Sequence, residues 1–160
     1  MIYLSMKLSV IILVIAAGYG IASEPAAVPV NQSKVIKMNA GISTTKLKET
    51  KEFYQRVLEF GVSFENDFYI LMHTSNKQAE ISFLEANHPL QQPIFQSLYE
   101  GKGMYLTIEV PDADAEYQRI KALGVTIEVE IRNETWGDRH FSFYDPNGIG
   151  IDVVTYNKPE

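Results

Sequence analysis

One stretch of this chain occurs twice. Tyr54-Gln55-Arg56-Val57-Leu58-Glu59-Phe60-Gly61-Val62 returns as Tyr117-Gln118-Arg119-Ile120-Lys121-Ala122-Leu123-Gly124-Val125, 63 residues further on. A fixed internal period means one supersecondary unit used twice, neither copy able to bury its apolar face alone. Around each match the patterning is the same. The first copy predicts a strand near 37–43, a helix near 46–59 and strands near 62–66, 67–73 and 79–84. The second predicts a strand near 104–110, a helix near 112–122 and strands near 125–131, 139–144 and 149–155. Each unit therefore reads β-α-β-β-β, and the fold class is α+β with two tandem modules, 35–86 and 103–158.

Local signals support these elements. Leu47, Tyr54, Val57 and Leu58 fall on one helical face, as do Ala113, Tyr117, Ile120 and Leu123. Asp112 follows Pro111 as a helix N-cap. Gly61 and Gly124 stand where a helix end wants a left-handed residue. Asp145-Pro146-Asn147-Gly148 is a hairpin turn. The 160 residues, 46% hydrophobic and 21% charged, suit one globular domain with an appendage.

The formal charge is −6. An acidic surface repels phosphate backbones, which argues against nucleic acid and favours cationic or amphipathic ligands. The chain has no cysteine, so disulfides, thiolate metal sites and a cysteine nucleophile are excluded. Lys7, the apolar run 8–17 and the small residues around Gly20-Ile21-Ala22 have the layout of a secretory signal, expected over 1–22. Residues 23–34 read as a linker. The apolar run is too short for a stable membrane span. Export to the periplasm or medium is the reading taken. A start codon at Met38 with a cytoplasmic product, or an uncleaved tether, is the alternative.

The ordered set of motifs resembles the glyoxalase/bleomycin-resistance/dioxygenase (vicinal oxygen chelate) superfamily. It comprises Lys51–Leu58, Ile108-Glu109-Val110-Pro111-Asp112, Lys121–Val125 and Asp145–Asp152, with Trp136-Gly137-Asp138-Arg139-His140-Phe141 resembling the bleomycin-binding branch. The resemblance runs from Val35 to Tyr156. It implies a curved sheet around a small-molecule cavity, and a homodimer. In metal-dependent members, histidines and carboxylates bind a divalent ion whose open positions take paired substrate oxygens. Carried across, those positions are Asn39, Glu80, Tyr105 and Asp152. Both carboxylates are kept and both histidines are missing. A neutral amide and a neutral phenol are poor ligands, so the resemblance implies a degenerate metal site, with a divalent metal a residual option at Glu80, Asp152 and His140.

Strand alternation divides side chains between the two sheet faces. Met38, Ala40 and Ile42 form the apolar set of the first strand. Ala79, Ile81 and Phe83, then Leu106, Ile108 and Val110, then Ile149, Ile151 and Val153 form the others. Glu80, Ser82, Tyr105, Thr107, Glu109, Gly150, Asp152 and Val154 take the opposite face. The register of the last hairpin is open: either His140, Ser142 and Tyr144 or Phe141 and Phe143 face the cavity. His140 facing it would join Glu80 and Asp152 in a metal-binding or acid/base cluster; its structural alternative is a hydrogen-bonded sheet residue. Trp136, in a polar loop, is placed to stack on a flat ligand, and Tyr144 is a further ligand contact. His73 and His88 read as surface residues. The loop 86–103 joins the modules as a linker, rim, lid or dimer contact. Three functions are compatible with these residues: a metal-free protein binding an aromatic or cationic small molecule, an enzyme (glyoxalase-like lyase, isomerase, dioxygenase or metal-free acid/base catalyst), and an envelope interaction module.

Overall fold

The computed structural model describes residues 36–156; the export-like segment and the linker lie outside the described residues. The first unit runs β1 (Ala40–Thr44), α1 (Leu47–Val57), β2 (Gly61–Glu65), β3 (Tyr69–His73) and β4 (Glu80–Glu85). The second runs β5 (Tyr105–Glu109), α2 (Ala113–Ala122), β6 (Ile127–Asn133), β7 (Asp138–Tyr144) and β8 (Gly150–Tyr156). A single 3-10 turn, Pro93–Phe95, interrupts the connection. The repeat is expressed in topology: the sheets have the orders β1-β4-β3-β2 and β5-β8-β7-β6. In each, the first strand runs parallel to the last and the other pairs are antiparallel. This is the α+β arrangement of two βαβββ modules.

The core lies on the helix side of both sheets. Ile70, Met72, Ile81 and Phe83 from one sheet and Phe141, Phe143, Ile151 and Val153 from the other pack with Tyr54, Val57, Tyr117 and Ile120 of the helices. Phe83, Phe141 and Phe143 are essentially inaccessible; burying such a side chain contributes roughly 1.5–3 kcal/mol. α2 starts at its expected cap, the Asp112 carboxylate accepting from the Ala115 N–H at 3.0 Å. Tyr117 packs edge-on against Phe141.

Asp145 joins the modules. It is 5% exposed, and its carboxylate accepts from the N–H groups of Asn147 and Ile149, both at 2.8 Å, and from Asn147 Nδ2 at 3.0 Å. The Tyr54 hydroxyl of α1 donates to it at 3.3 Å. Burial pushes the Tyr54 phenol far above its usual pKa, and the adjacent Asp145 charge and hydrogen bond push the same way, so Tyr54 stays a donor. The turn that Asp145 shapes takes three more contacts from the first module. Thr44 donates to Asn147 Oδ1, Asn147 Nδ2 donates to Thr50 Oγ1, and Lys46 donates to the Pro146 carbonyl.

Several expectations need correcting. Met38 and Ala40 are not core residues: Met38 is 88% exposed and Ala40 is exposed, and only Ile42 of that set is buried. The cause is that β1 pairs with β4 only from Ala40–Ile81 onward, so the sheet ends at Ala40 and residues before it have no paired strand. Ala79, likewise outside the strand, is exposed. Gly61 is not the left-handed residue after α1. Glu59 takes that conformation (φ 56°), and the helix closes a step earlier through the Phe60 N–H to Tyr54 C=O bond. Gly61 is small for another reason, since a Cβ there would lie 2.4 Å from the His73 ring. Gly124 does adopt a positive φ, of 77°. Val154 lies on the polar face yet is 1% exposed. His88 is not a free surface residue: its ring stacks on Phe68 at 4.1 Å.

Replacing a buried carboxylate that holds several donors leaves those donors unpaired. Asp145→Ala is expected to lower stability by roughly 3–5 kcal/mol. Urea unfolding followed by far-UV circular dichroism measures this, and a loss below 1 kcal/mol would refute the joint's role.

Candidate functional site

The register of the last hairpin resolves the open alternative. Phe141 pairs with Val153 and Phe143 with Ile151, so these rings go to the core. His140, Ser142 and Tyr144 therefore take the other face, with Asp152 opposite Ser142 and Gly150 opposite Tyr144. β5 completes this face on the far side of β8: Tyr105 is opposite Gly150 and Thr107 opposite Asp152.

Two features are built on this face. The first is a hydrogen-bonded chain. His140 Nδ1 lies 2.7 Å from Asp152 Oδ1, and its Nε2 lies 3.0 Å from Glu134 Oε1. Ser142 donates to the same Asp152 oxygen at 2.8 Å, and Arg132 Nε donates to Glu134 at 2.6 Å. An imidazole with a carboxylate on each nitrogen is best satisfied as imidazolium, which donates from both. Partial burial works against that charge, but the bonds to Asp152 and Glu134 outweigh it and hold the His140 pKa above its ordinary value. Reciprocally, Glu134 is held below its ordinary value, first by the His140 hydrogen bond and then, against some burial, by Arg132.

The second feature is a pair of exposed tyrosines. Tyr105 and Tyr144 stand on either side of Gly150 on one face and are 72% and 57% exposed. Strands spaced about 4.8 Å apart put their Cα atoms roughly 9.6 Å from each other. Glycine leaves the floor without a side chain. A planar ring in van der Waals contact with both tyrosines needs about 7 Å between the outer rings, which this spacing allows. Trp136, 68% exposed, lies at the opposite end of β7 from Tyr144, its indole N–H donating to Asp138 at 2.8 Å.

The structure thus brings together Tyr105, His140, Tyr144 and Asp152 of the expected residues. It does not bring Glu80 to them. Glu80 belongs to the first sheet, where Lys37 at 2.6 Å and Ser63 at 3.1 Å occupy its carboxylate. Lys37 and Ser63 together hold its pKa below the usual value, in spite of partial burial. The second carboxylate on His140 is Glu134, not Glu80. Asn39 lies exposed before β1. The implied metal positions consequently do not fit a divalent ion. Their two carboxylates are engaged by cationic and hydroxyl partners, and the other two donors are neutral. Among the described residues no group of three His, Asp or Glu is disposed to hold a metal. Glu134 escaped the sequence reading because its contact depends on the β6–β7 bulges, which bring Arg132 opposite His140.

The fold defines a class: paired βαβββ modules, each a four-stranded sheet whose first strand runs parallel to its last. A model of the Glyoxalase/Bleomycin resistance protein/Dioxygenase superfamily matches residues 38–153, and the chain belongs to that superfamily. Among solved structures it is similar to a glyoxalase/bleomycin resistance protein/dioxygenase from Nocardioides (18% identity, TM-score 0.65, covering 82% of this chain and 91% of that one). It is also similar to TnmS3, an antibiotic binding protein from Streptomyces sp. CB03234 (17% identity, TM-score 0.62, 78% and 99% covered). A lactoylglutathione lyase from Agrobacterium tumefaciens has the same fold (14% identity, TM-score 0.61, 82% and 95% covered). No curated protein sequence matches significantly.

Because the folded-state pKa of His140 is raised, its two pairs stabilise the fold fully below about pH 6.5. That contribution is lost as pH rises through the folded value. NMR titration of the His140 ring is expected to give a pKa above 6.5, falling in Glu134→Gln; an unshifted midpoint in the variant would contradict the assignment.

Proposed function

We propose that this protein binds a planar organic cation without a metal, holding it between Tyr105 and Tyr144 over Gly150. The carrying observation is the pair of exposed tyrosines flanking Gly150, with the Glu134–His140–Asp152 chain on the same face. Aromatic walls supply contact area and cation–π attraction. When His140 is neutral, Arg132, Glu134 and Asp152 leave one uncompensated negative charge beside the ligand. The antibiotic binding protein of the same fold supports a binding rather than a catalytic reading, as do the two metal positions occupied by Asn39 and Tyr105. A second reading follows from one observation: His140 bonded on both nitrogens is a poised proton carrier, suited to metal-free acid/base chemistry.

Export in a signal-bearing form, and pairing of two copies, complete the proposal. The exposed Leu90, Ile94 and Leu98 of the connection are a surface suited to such pairing.

Titration with proflavine, a planar cation, tests the binding reading. A saturable change in proflavine fluorescence is expected, weakened at least tenfold in Tyr105→Ala/Tyr144→Ala, and undiminished affinity in that variant refutes the slot. The affinity is expected to rise as pH passes upward through the His140 value, because the Arg132–Glu134–His140–Asp152 cluster then changes from neutral to negative; a fall would refute the electrostatic account. Protein purified without chelators is expected to carry no stoichiometric Ni, Zn, Fe or Mn by mass spectrometry.

A further inference from the structure

A cavity of about 550 Å³ lies away from the tyrosine slot, between the two sheets. One wall is six consecutive residues, Leu106 to Pro111; the other includes Gln78, Ala79, Glu80 and Ile81, with Phe60 beside them. Successive side chains of a strand point to opposite faces. A cavity that touches all of them must therefore run along the strand's edge.

Among the described residues that edge is unpaired, β5 being hydrogen-bonded to β8 alone. The Val110 N–H bonds to the Val154 carbonyl, which fixes the alternation: Leu106, Ile108 and Val110 address β8. Thr107 and Glu109 then turn their N–H and C=O groups toward the cavity. The matching edge of β1 is treated differently. There the Tyr99 N–H caps the Ser43 carbonyl at 2.9 Å, and Ser43 Oγ donates to the Phe95 carbonyl. On the other side of the cavity β4 starts at Glu80, which has no partner in β1 because the first pair is Ala40–Ile81.

We propose that this slot takes an extended peptide, added as a strand against β5, with an apolar–Lys/Arg–apolar pattern. Strand addition to an open edge draws affinity from main-chain bonds and specificity from alternate side chains. A strand residue occupies roughly 160 Å³, from a rise of about 3.4 Å, a strand spacing of about 4.8 Å and a sheet thickness of about 10 Å. The cavity thus accommodates about three. On one face the peptide meets Ile81, Leu106, Ile108 and Phe60, an apolar floor. On the other it meets Glu80 and Glu109, and Glu109 has no hydrogen-bond or ion partner among the described residues. The chain itself carries such a pattern at Ile36-Lys37-Met38. Ile36 and Met38 are 99% and 88% exposed, and Lys37 already reaches Glu80. This inference does not depend on the planar-cation reading.

The probe is a fluorescein-labelled peptide with the sequence Val-Ile-Lys-Met-Asn-Ala of residues 35–40, titrated with the full chain and read by anisotropy. Saturable binding is expected, weakened at least tenfold when the peptide carries Lys37→Glu, and abolished when its three amide nitrogens at 36–38 are methylated. In the protein, Thr107→Pro removes an edge donor that β8 does not use, and is expected to weaken binding at least tenfold. Glu109→Lys is expected to weaken it several-fold. Tyr144→Ala, on β7 and two strands from the β5 edge, is expected to leave peptide binding unchanged, separating this slot from the planar-cation site. Failure to bind, or equal binding of the methylated peptide, overturns strand addition. The methylated peptide leaves the protein unaltered, so this test holds even where Thr107→Pro fails to fold.

Discussion

The architecture depends on the carboxylate of Asp145. A tandem pair of modules has two helices, two sheets and a connection, and something must fix one half against the other. Apolar packing is non-directional and tolerates small rotations. Asp145 supplies direction. It shapes its own turn through Asn147 and Ile149, receives Tyr54 from the first helix, and so fixes where Phe53, in contact with Phe143 across the halves, must lie. A secondary set of bonds crosses the same boundary: Arg119 donates to the Val57 carbonyl and Arg56 to that of Leu123. These two arginines occupy the same place in the two repeats, 63 residues apart. The shared boundary is thus tied at the helix ends as well as at the turn.

The fold was legible because its signals are local and doubled. The Tyr54 and Tyr117 repeat, the Asp112 cap and the Asp145–Gly148 turn each act within a few residues, and together they order the elements. What sequence alternation could not reveal was where a strand loses its neighbour. Met38 continues the period of Ile42 perfectly and is nevertheless exposed, since burial needs a partner strand as well as a pattern. Gly61 shows the complementary error: a glycine after a helix has an obvious local use, but here its size serves His73 across a strand pair.

The candidate site was partly legible. Alternation and the resemblance together pointed to Tyr105, His140, Tyr144 and Asp152, but the hairpin admitted two registers. Packing decided between them, because only one register buries both Phe141 and Phe143. Glu134 was out of reach, since its approach to His140 arises from irregular pairing of β6. Glu80 was misplaced for a related reason. Positions equivalent by motif stand on equivalent strands of different sheets, and equivalence under an internal repeat is not proximity.

The connection between modules has a consequence for symmetry. Two copies of a unit require one connector, and a connector can cover only one of two equivalent edges. Here it serves β1, through Tyr99 and Phe95. The halves therefore differ most where their sequences need not differ at all: the first has a sealed margin and the second a margin open to a neighbour. A tandem repeat of this topology is asymmetric by connectivity alone, and that asymmetry gives its two halves different surfaces before any side chain has diverged.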